Sequence, residues 1–144
     1  MEVVRFKQEH LAGFIPREAV PEPFPTIEKR LELYSQCGLA FSLVHDGRTI
    51  AIAGVAFIAE GVGEVWALTD FLVKKYPIAF HRAVKEGLHT IFETYKLRRI
   101  QAVVLADWRV GREWLKRLGF QSEGIMEAFG PDGADYIRFA MVRA

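Results

Sequence analysis

The chain has a single cysteine, Cys37, in 144 residues. One thiol cannot close an internal disulfide or build a multi-cysteine metal site, and with no partner base in a recognisable motif it reads as a small buried hydrophobe. The histidines, His10, His45, His81 and His89, show no zinc-ligand spacing. Charge of one sign is missing too: 19 Lys+Arg stand against 18 Asp+Glu, a formal net charge of +1. No global electrostatic case therefore exists for nucleic acid or an anionic membrane as partner. No stretch reaches the ~20 apolar residues a membrane-spanning helix needs. The opening Met1-Glu2-Val3-Val4-Arg5 lacks the charged-then-apolar order of a signal peptide. Internal repeats and low-complexity tracts are absent. The expectation left is a cytoplasmic, single globular domain over residues 1–144, for which 51% hydrophobic and 26% charged positions are ordinary.

Residues 1–38 read as an opening strand, Met1 to Phe6, a helical turn from Lys7 that stops near Pro16, and a loop. Pro16, Pro21, Pro23 and Pro25 remove backbone donors and favour extended chain there, which suits a loop or a mobile lid. Thr26 caps a surface helix over residues 27–36, with Ile27, Leu31 and Tyr34 on one face and Gly38 placed to end it. Residues 39–70 read as strands. Leu39–Val44 and Thr49–Ile58 are joined by Asp46-Gly47, which favours positive φ and a tight hairpin. Gly61 and Gly63 mark the next loop, and Glu64–Thr69 is a short central strand.

Residues 71–144 carry the clearest periodicity. From Pro77, which suits a first helical turn, Phe80, Val84, Leu88, Ile91, Phe92 and Tyr95 recur at three- and four-residue steps. Arg82, Lys85, Glu86, His89 and Glu93 take the other face. A buried strand follows at Arg99–Ala106, then a short helix, Val110–Leu118, with Val110, Trp114, Leu115 and Leu118 inward and Gly119 ending it. Phe120–Phe129 and Tyr136–Val142 are the last strands, parted by Gly130-Pro131-Asp132-Gly133. Single helices interrupt the strands twice after Glu64. The expected class is mixed α/β (α+β) with a mostly antiparallel, partly parallel sheet.

The run Trp114-Leu115-Lys116-Arg117-Leu118-Gly119-Phe120, with Gln121-Ser122-Glu123-Gly124 and a terminal hairpin behind it, resembles the short helix, Leu-Gly-Phe, strand signature of the GNAT N-acetyltransferase superfamily. The preceding hairpin, strand, long helix and strand match in order, so the resemblance covers roughly residues 39–143. It implies splayed central strands, here Glu64–Thr69 and Arg99–Ala106, flanked by helices. Acetyl-CoA is the implied cosubstrate: its pantetheine arm would lie beside Leu68, Thr69 and Asp70, and its pyrophosphate at the helix start, over Lys74, Lys75, Tyr76, Pro77 and Ile78. The acceptor would be an amine on a small molecule or a protein, attacking the thioester directly. A homodimer is compatible with the resemblance.

This sequence departs from the family at several positions. The loop Leu72–Ile78 holds none of the family's phosphate-loop glycines, and Pro77 deletes an amide from it. Leu115 stands where many members carry a general-acid tyrosine, and Trp108 and Gly111 stand where an asparagine and an alanine are common. Gly63–Thr69, the Phe80–Tyr95 helix and Trp114–Phe120 are also similar to GNAT-like proteins of tailed phages and prophages, including internal virion proteins. That narrower resemblance implies a non-catalytic structural or host-interaction protein, virion-associated, with a phage or host protein as partner.

The candidate residues each have a plainer reading. Glu64 is the candidate base, because acyl transfer needs the neutral amine; a strand-start carboxylate is also simply exposed. Tyr136 is a weak substitute for the absent acid and otherwise a half-buried strand tyrosine. Asp70 and Asp107 end central strands, where they face a ligand cleft or cap a loop. Lys74 and Lys75 supply charge where glycine is lacking, or are solvated. Arg109, Arg112 and Lys116 share a helix face that meets the adenosine phosphate, another anion or a partner, or stays in solvent. Trp108 is counted with the cofactor contacts, with packing as its commoner role.

Overall fold

The computed structural model describes residues 1–17, 36 and 38–143. Its strands are β1 (Glu2–Arg5), β2 (Gly38–His45), β3 (Arg48–Ala59), β4 (Val62–Thr69), β5 (Arg99–Leu105), β6 (Gln121–Met126) and β7 (Tyr136–Val142). Two α-helices are described, α1 (Pro77–Tyr95) and α2 (Arg109–Leu118), with 3-10 turns at Gln8–Leu11 and Phe71–Lys75. The strands form one sheet in the order β1-β2-β3-β4-β5-β7-β6. All neighbours are antiparallel apart from β4 and β5. The mixed, mostly antiparallel fold expected from the sequence is the fold observed. Apart from Gln36, which is helical, the helix expected over 27–36 lies outside the described residues, as do Pro21, Pro23, Pro25 and Cys37.

Local chemistry explains most boundaries. Asp46 and Gly47 both take positive φ, 50° and 75°, so the β2–β3 turn twists with its strands. The β3–β4 turn is Glu60-Gly61, with Gly61 at φ 78°. Gly63 is a strand residue, contrary to the loop expected there. A Cβ on it would lie 2.7 Å from Val55 Cγ2 and 3.3 Å from Leu97 Cδ1, so it admits close packing. At the far end β6 stops at Met126, short of the expected Phe129, because Ala128 turns to φ 54° and gives its N–H to Asp135 at 2.9 Å.

The core lies between the sheet and the two helices. Phe80, Leu88 and Phe92 of α1 are buried, as are Leu115 and Leu118 of α2. Phe92 and Leu88 pack with Ile100, Phe120 and Phe139 in one cluster. Burying each such side chain stabilises by roughly 1.5–3 kcal/mol. Val110, expected inward, is 57% exposed, and Tyr95 is 43% exposed. Each sits in an end turn of its helix, where the apolar stripe runs past its cover.

One feature of the sheet positions the site. β4 and β5 pair only at Val62↔Arg99, Gly63↔Ile100 and Glu64↔Gln101. Beyond Glu64, β4 stays on β3 as far as Ala51↔Thr69, while β5 stays on β7 as far as Leu105↔Tyr136. A wedge-shaped gap therefore opens toward the carboxyl ends of the parallel pair, where open sheets form clefts. Among the described residues no helix is long and apolar enough to cross a membrane.

Candidate functional site

The start of α1 stands at the mouth of this gap. Its first helical hydrogen bond runs from Phe80 N–H to the Tyr76 carbonyl at 2.9 Å. Pro77 has no N–H, and no described residue accepts from the N–H of Ile78 or Ala79. Two donors thus point out of the helix at its positive end, an arrangement that favours an anion.

A cleft of about 870 Å³ adjoins them, walled by Thr69 of β4, Pro77 and Ile78 of α1, and Trp108 before α2. Among the described residues its charged and titratable lining is Arg17, Lys74, His81, Arg82, Lys85 and Arg117, with no carboxylate. Cations gathered without a counter-charge raise the local positive potential and suit a multiply charged anionic ligand. His81 Nδ1 accepts the indole N–H of Trp114 at 3.2 Å, which places the proton of the neutral ring on Nε2. Trp114 in turn stacks on Phe80, ring centroids 5.1 Å apart, so α1 and α2 are clasped across the cleft floor.

Arg17 reaches the cleft through Asp70. The Asp70 carboxylate is buried and accepts from Ile15 N–H at 2.7 Å and Leu72 N–H at 2.9 Å. Pro16 bridges Asp70, and Arg17 N–H donates to the Thr69 carbonyl at 2.7 Å. Residues 15–17 are thereby strapped across the end of β4, with the Arg17 guanidinium 5.7 Å from the Trp108 ring centre. Trp108 also meets Gly111, where a Cβ would lie 2.5 Å from Cε3. Gly111 is what lets this large ring lie across the start of α2.

The residues singled out from the sequence divide accordingly. Thr69, Lys74, Pro77, Ile78 and Trp108 line the cleft. Lys75 is exposed off its wall. Tyr76 lies against His45, rings 4.2 Å apart. Leu68 is buried with Ile52 against Phe6, Leu11 and Phe14. Both Asp70 oxygens are committed to backbone donors. Arg112 is half-buried off the cleft, its Nε without a partner among the described residues. Tyr136 packs edge-on to Phe129 at 5.5 Å, away from the cleft lining. Arg17, His81, Arg82, Lys85 and Arg117 also line the cleft, and the sequence alone marks none of them as a site residue. A signal existed for part of this set, since positions 78, 81, 82 and 85 continue one helix face from the proposed anion loop.

Glu64 stands where the seam divides. Its Oε1 accepts from Gln101 Nε2 at 2.9 Å and from Arg138 at 3.1 Å, while Oε2 takes no hydrogen bond from the described residues. Gln101 also accepts from Arg99, which is paired with Glu123 through both guanidinium nitrogens. These hydrogen bonds hold the Glu123 carboxyl below its ordinary range and raise Arg99. Alternation along β4 puts Glu64 on the face opposite Val65 and Ala67. Leu115, where the resemblance noted above would put a tyrosine, is buried in the core with no proton to give.

No protein-family model matches this chain, and no curated protein does. Solved structures do. Ribosomal-protein-S18-alanine N-acetyltransferase from Escherichia coli superposes with a TM-score of 0.75 at 20% identity, over 98% of this chain and 92% of that one. A mutant spermidine N-acetyltransferase from Vibrio cholerae gives 0.75 at 14% identity, over 99% and 95%. A GNAT-family acetyltransferase from Bacillus anthracis gives 0.73 at 15% identity, over 97% and 93%. These likenesses run nearly end to end, and the fold of this chain is the fold of the GNAT N-acetyltransferases.

Proposed function

We propose that the chain is an N-acyltransferase that moves an acyl group from a coenzyme A thioester, acetyl-CoA being the simplest, to an amine on a small molecule or a protein. The observation that carries this reading is the cleft whose described lining is cationic and holds no carboxylate, beside the amides of Ile78 and Ala79, unpaired among the described residues, at the open end of the β4–β5 gap. The fit to coenzyme A is by charge. Lys74, Arg82, Lys85 and Arg117 would hold the phosphates by side chain, where glycine-lined backbone would otherwise approach them. The thioester supplies an activated carbonyl. As the amine lone pair forms the C–N bond, the C–S bond breaks with its electron pair leaving on sulfur, and the amine proton goes to a base.

Glu64 is the proposed base, acting through Oε2 while Gln101 and Arg138 hold Oε1. The amine would then enter from the Glu64 side of the sheet and the cosubstrate from the α1 side. No covalent intermediate on the protein is needed, since orientation and deprotonation suffice for direct attack.

The alternative is a non-catalytic GNAT-fold module, favoured by buried Leu115 and the ion-paired state of Glu64. Its phage form has no support among the structural relatives. Thermal denaturation with coenzyme A separates the two readings. A ligand at ~100 times its Kd stabilises the fold by about 2.7 kcal/mol. An unchanged melting curve at millimolar coenzyme A sinks the transferase reading.

A further inference from the structure

We infer that the acyl group this site accepts is longer than acetyl, with an apolar chain lying between α1 and the sheet; this rests on the coenzyme A reading above. A second hollow of about 450 Å³ runs beneath α1, a volume in the range of small-ligand sites. It shares Ala67, Trp108, Gly111 and Trp114 with the cationic cleft, so the two meet at the divided seam. From there it passes Ala53 and Phe41 to Val3, under strands β5 to β1. Adjacent strands lie ~4.8 Å apart, so the three intervals from β4 at the seam to β1 give a run of roughly 14 Å. An acetyl group adds one methyl beyond its carbonyl and leaves nearly all of that length empty.

The hollow exists because small residues face each other across it. Ala53, Ala67 and Ala102 of the sheet oppose Ala83 and Gly87 of α1, and Glu86 is the only charged residue in its described lining. Interiors normally close such gaps, because unfilled apolar space forfeits contacts. Gly87 is independent evidence that this one is kept open. It lies mid-way along a 19-residue helix, where glycine costs roughly 1 kcal/mol against alanine. A Cβ built on it meets no heavy atom within 4 Å. The glycine therefore serves neither a close approach of the chain to itself nor the stability of the helix. What it preserves is room in the wall of the hollow.

The test is calorimetric titration of the full chain with coenzyme A, acetyl-CoA and octanoyl-CoA, for the native protein, Gly87→Leu and Ala83→Val. Octanoyl-CoA is expected to bind at least about tenfold more tightly than acetyl-CoA, from burial of its extra methylenes. Gly87→Leu should abolish that difference and leave the affinity for coenzyme A itself unchanged. If Gly87→Leu does not fold, Ala83→Val gives the same readout from the neighbouring turn. Equal affinity for the two thioesters, with coenzyme A binding intact, overturns the chain-length inference and leaves the transferase reading standing. A tenfold preference that survives both substitutions overturns the placement beneath α1. Failure of all three ligands to bind the native protein removes the coenzyme A reading and this inference together.

Discussion

The two carboxylate oxygens of Glu64 differ: Oε1 accepts from Gln101 and Arg138, and Oε2 takes no hydrogen bond from the described residues. If Oε2 takes the amine proton, Glu64→Gln keeps the shape but loses the base, and kcat should fall about 10²-fold with little change in KM for the thioester. Steady-state kinetics of that variant decide it: unchanged turnover would mean that Glu64 only anchors the seam. The Arg99–Glu123 pair makes a pH prediction. Because Arg99 hydrogen bonds lower the Glu123 pKa in the folded chain, the pair's stabilisation is fully present above the unfolded Glu value of about 4.3 and is lost as pH falls through the lower folded value. Melting curves of the native protein and Glu123→Gln should differ at pH 7 and merge in acid. Gly111 bears on Trp108. A methyl 2.5 Å from the Trp108 ring cannot be accommodated without movement, so Gly111→Ala should cost about 1–3 kcal/mol by denaturant titration and shift tryptophan emission.

Among the elements, α1 contributes both to the core and to the cleft, because one face packs on the sheet and its first turns line the cleft. Arg82→Ala and Lys85→Ala should each weaken coenzyme A binding about tenfold and flatten its salt dependence, measured by titration at two ionic strengths. The same substitutions should leave the melting temperature nearly unchanged, since Arg82 and Lys85 are exposed. The strap formed by residues 15–17 depends on Asp70. Asp70→Ala leaves the Ile15 and Leu72 amides without their acceptor, at a cost of about 1–3 kcal/mol. It should also release Arg17 from Trp108, so cosubstrate affinity falls with stability.

At the scale of the molecule, the sheet is continuous at its base and divided at its top. Past Glu64, β4 continues its ladder with β3 and no longer pairs with β5. Its amides there that are directed at β5 should exchange with solvent faster than those of Ala51–Val55, which lie between two paired neighbours. Saturating coenzyme A should slow them. Uniform protection along β4 without ligand would contradict an open seam.

The elements were legible from local chemistry: Asp46-Gly47 as a hairpin turn, the Phe80–Phe92 spacing as a packed helix, Leu118-Gly119-Phe120 as a helix end followed by a strand. Each depends on residues within a few positions of one another. The cleft was legible only in part. Lys74, Pro77, Ile78 and Trp108 were found because the α1 start and the approach to α2 are marked in the chain. Arg17 and Arg117 were not, because Arg17 arrives through a buried Asp70 strap and Arg117 through the crossing of two helices. The vacant wall at Gly87 was equally hidden, since a helical glycine shows its purpose only once its surroundings are known. Periodicity and turn residues are local quantities, and by themselves they determined this protein's strands, helices and mixed sheet. Which cations share a cleft, which carboxylate is already bound and where space is left are set by contacts between distant segments, and only the tertiary structure decided those.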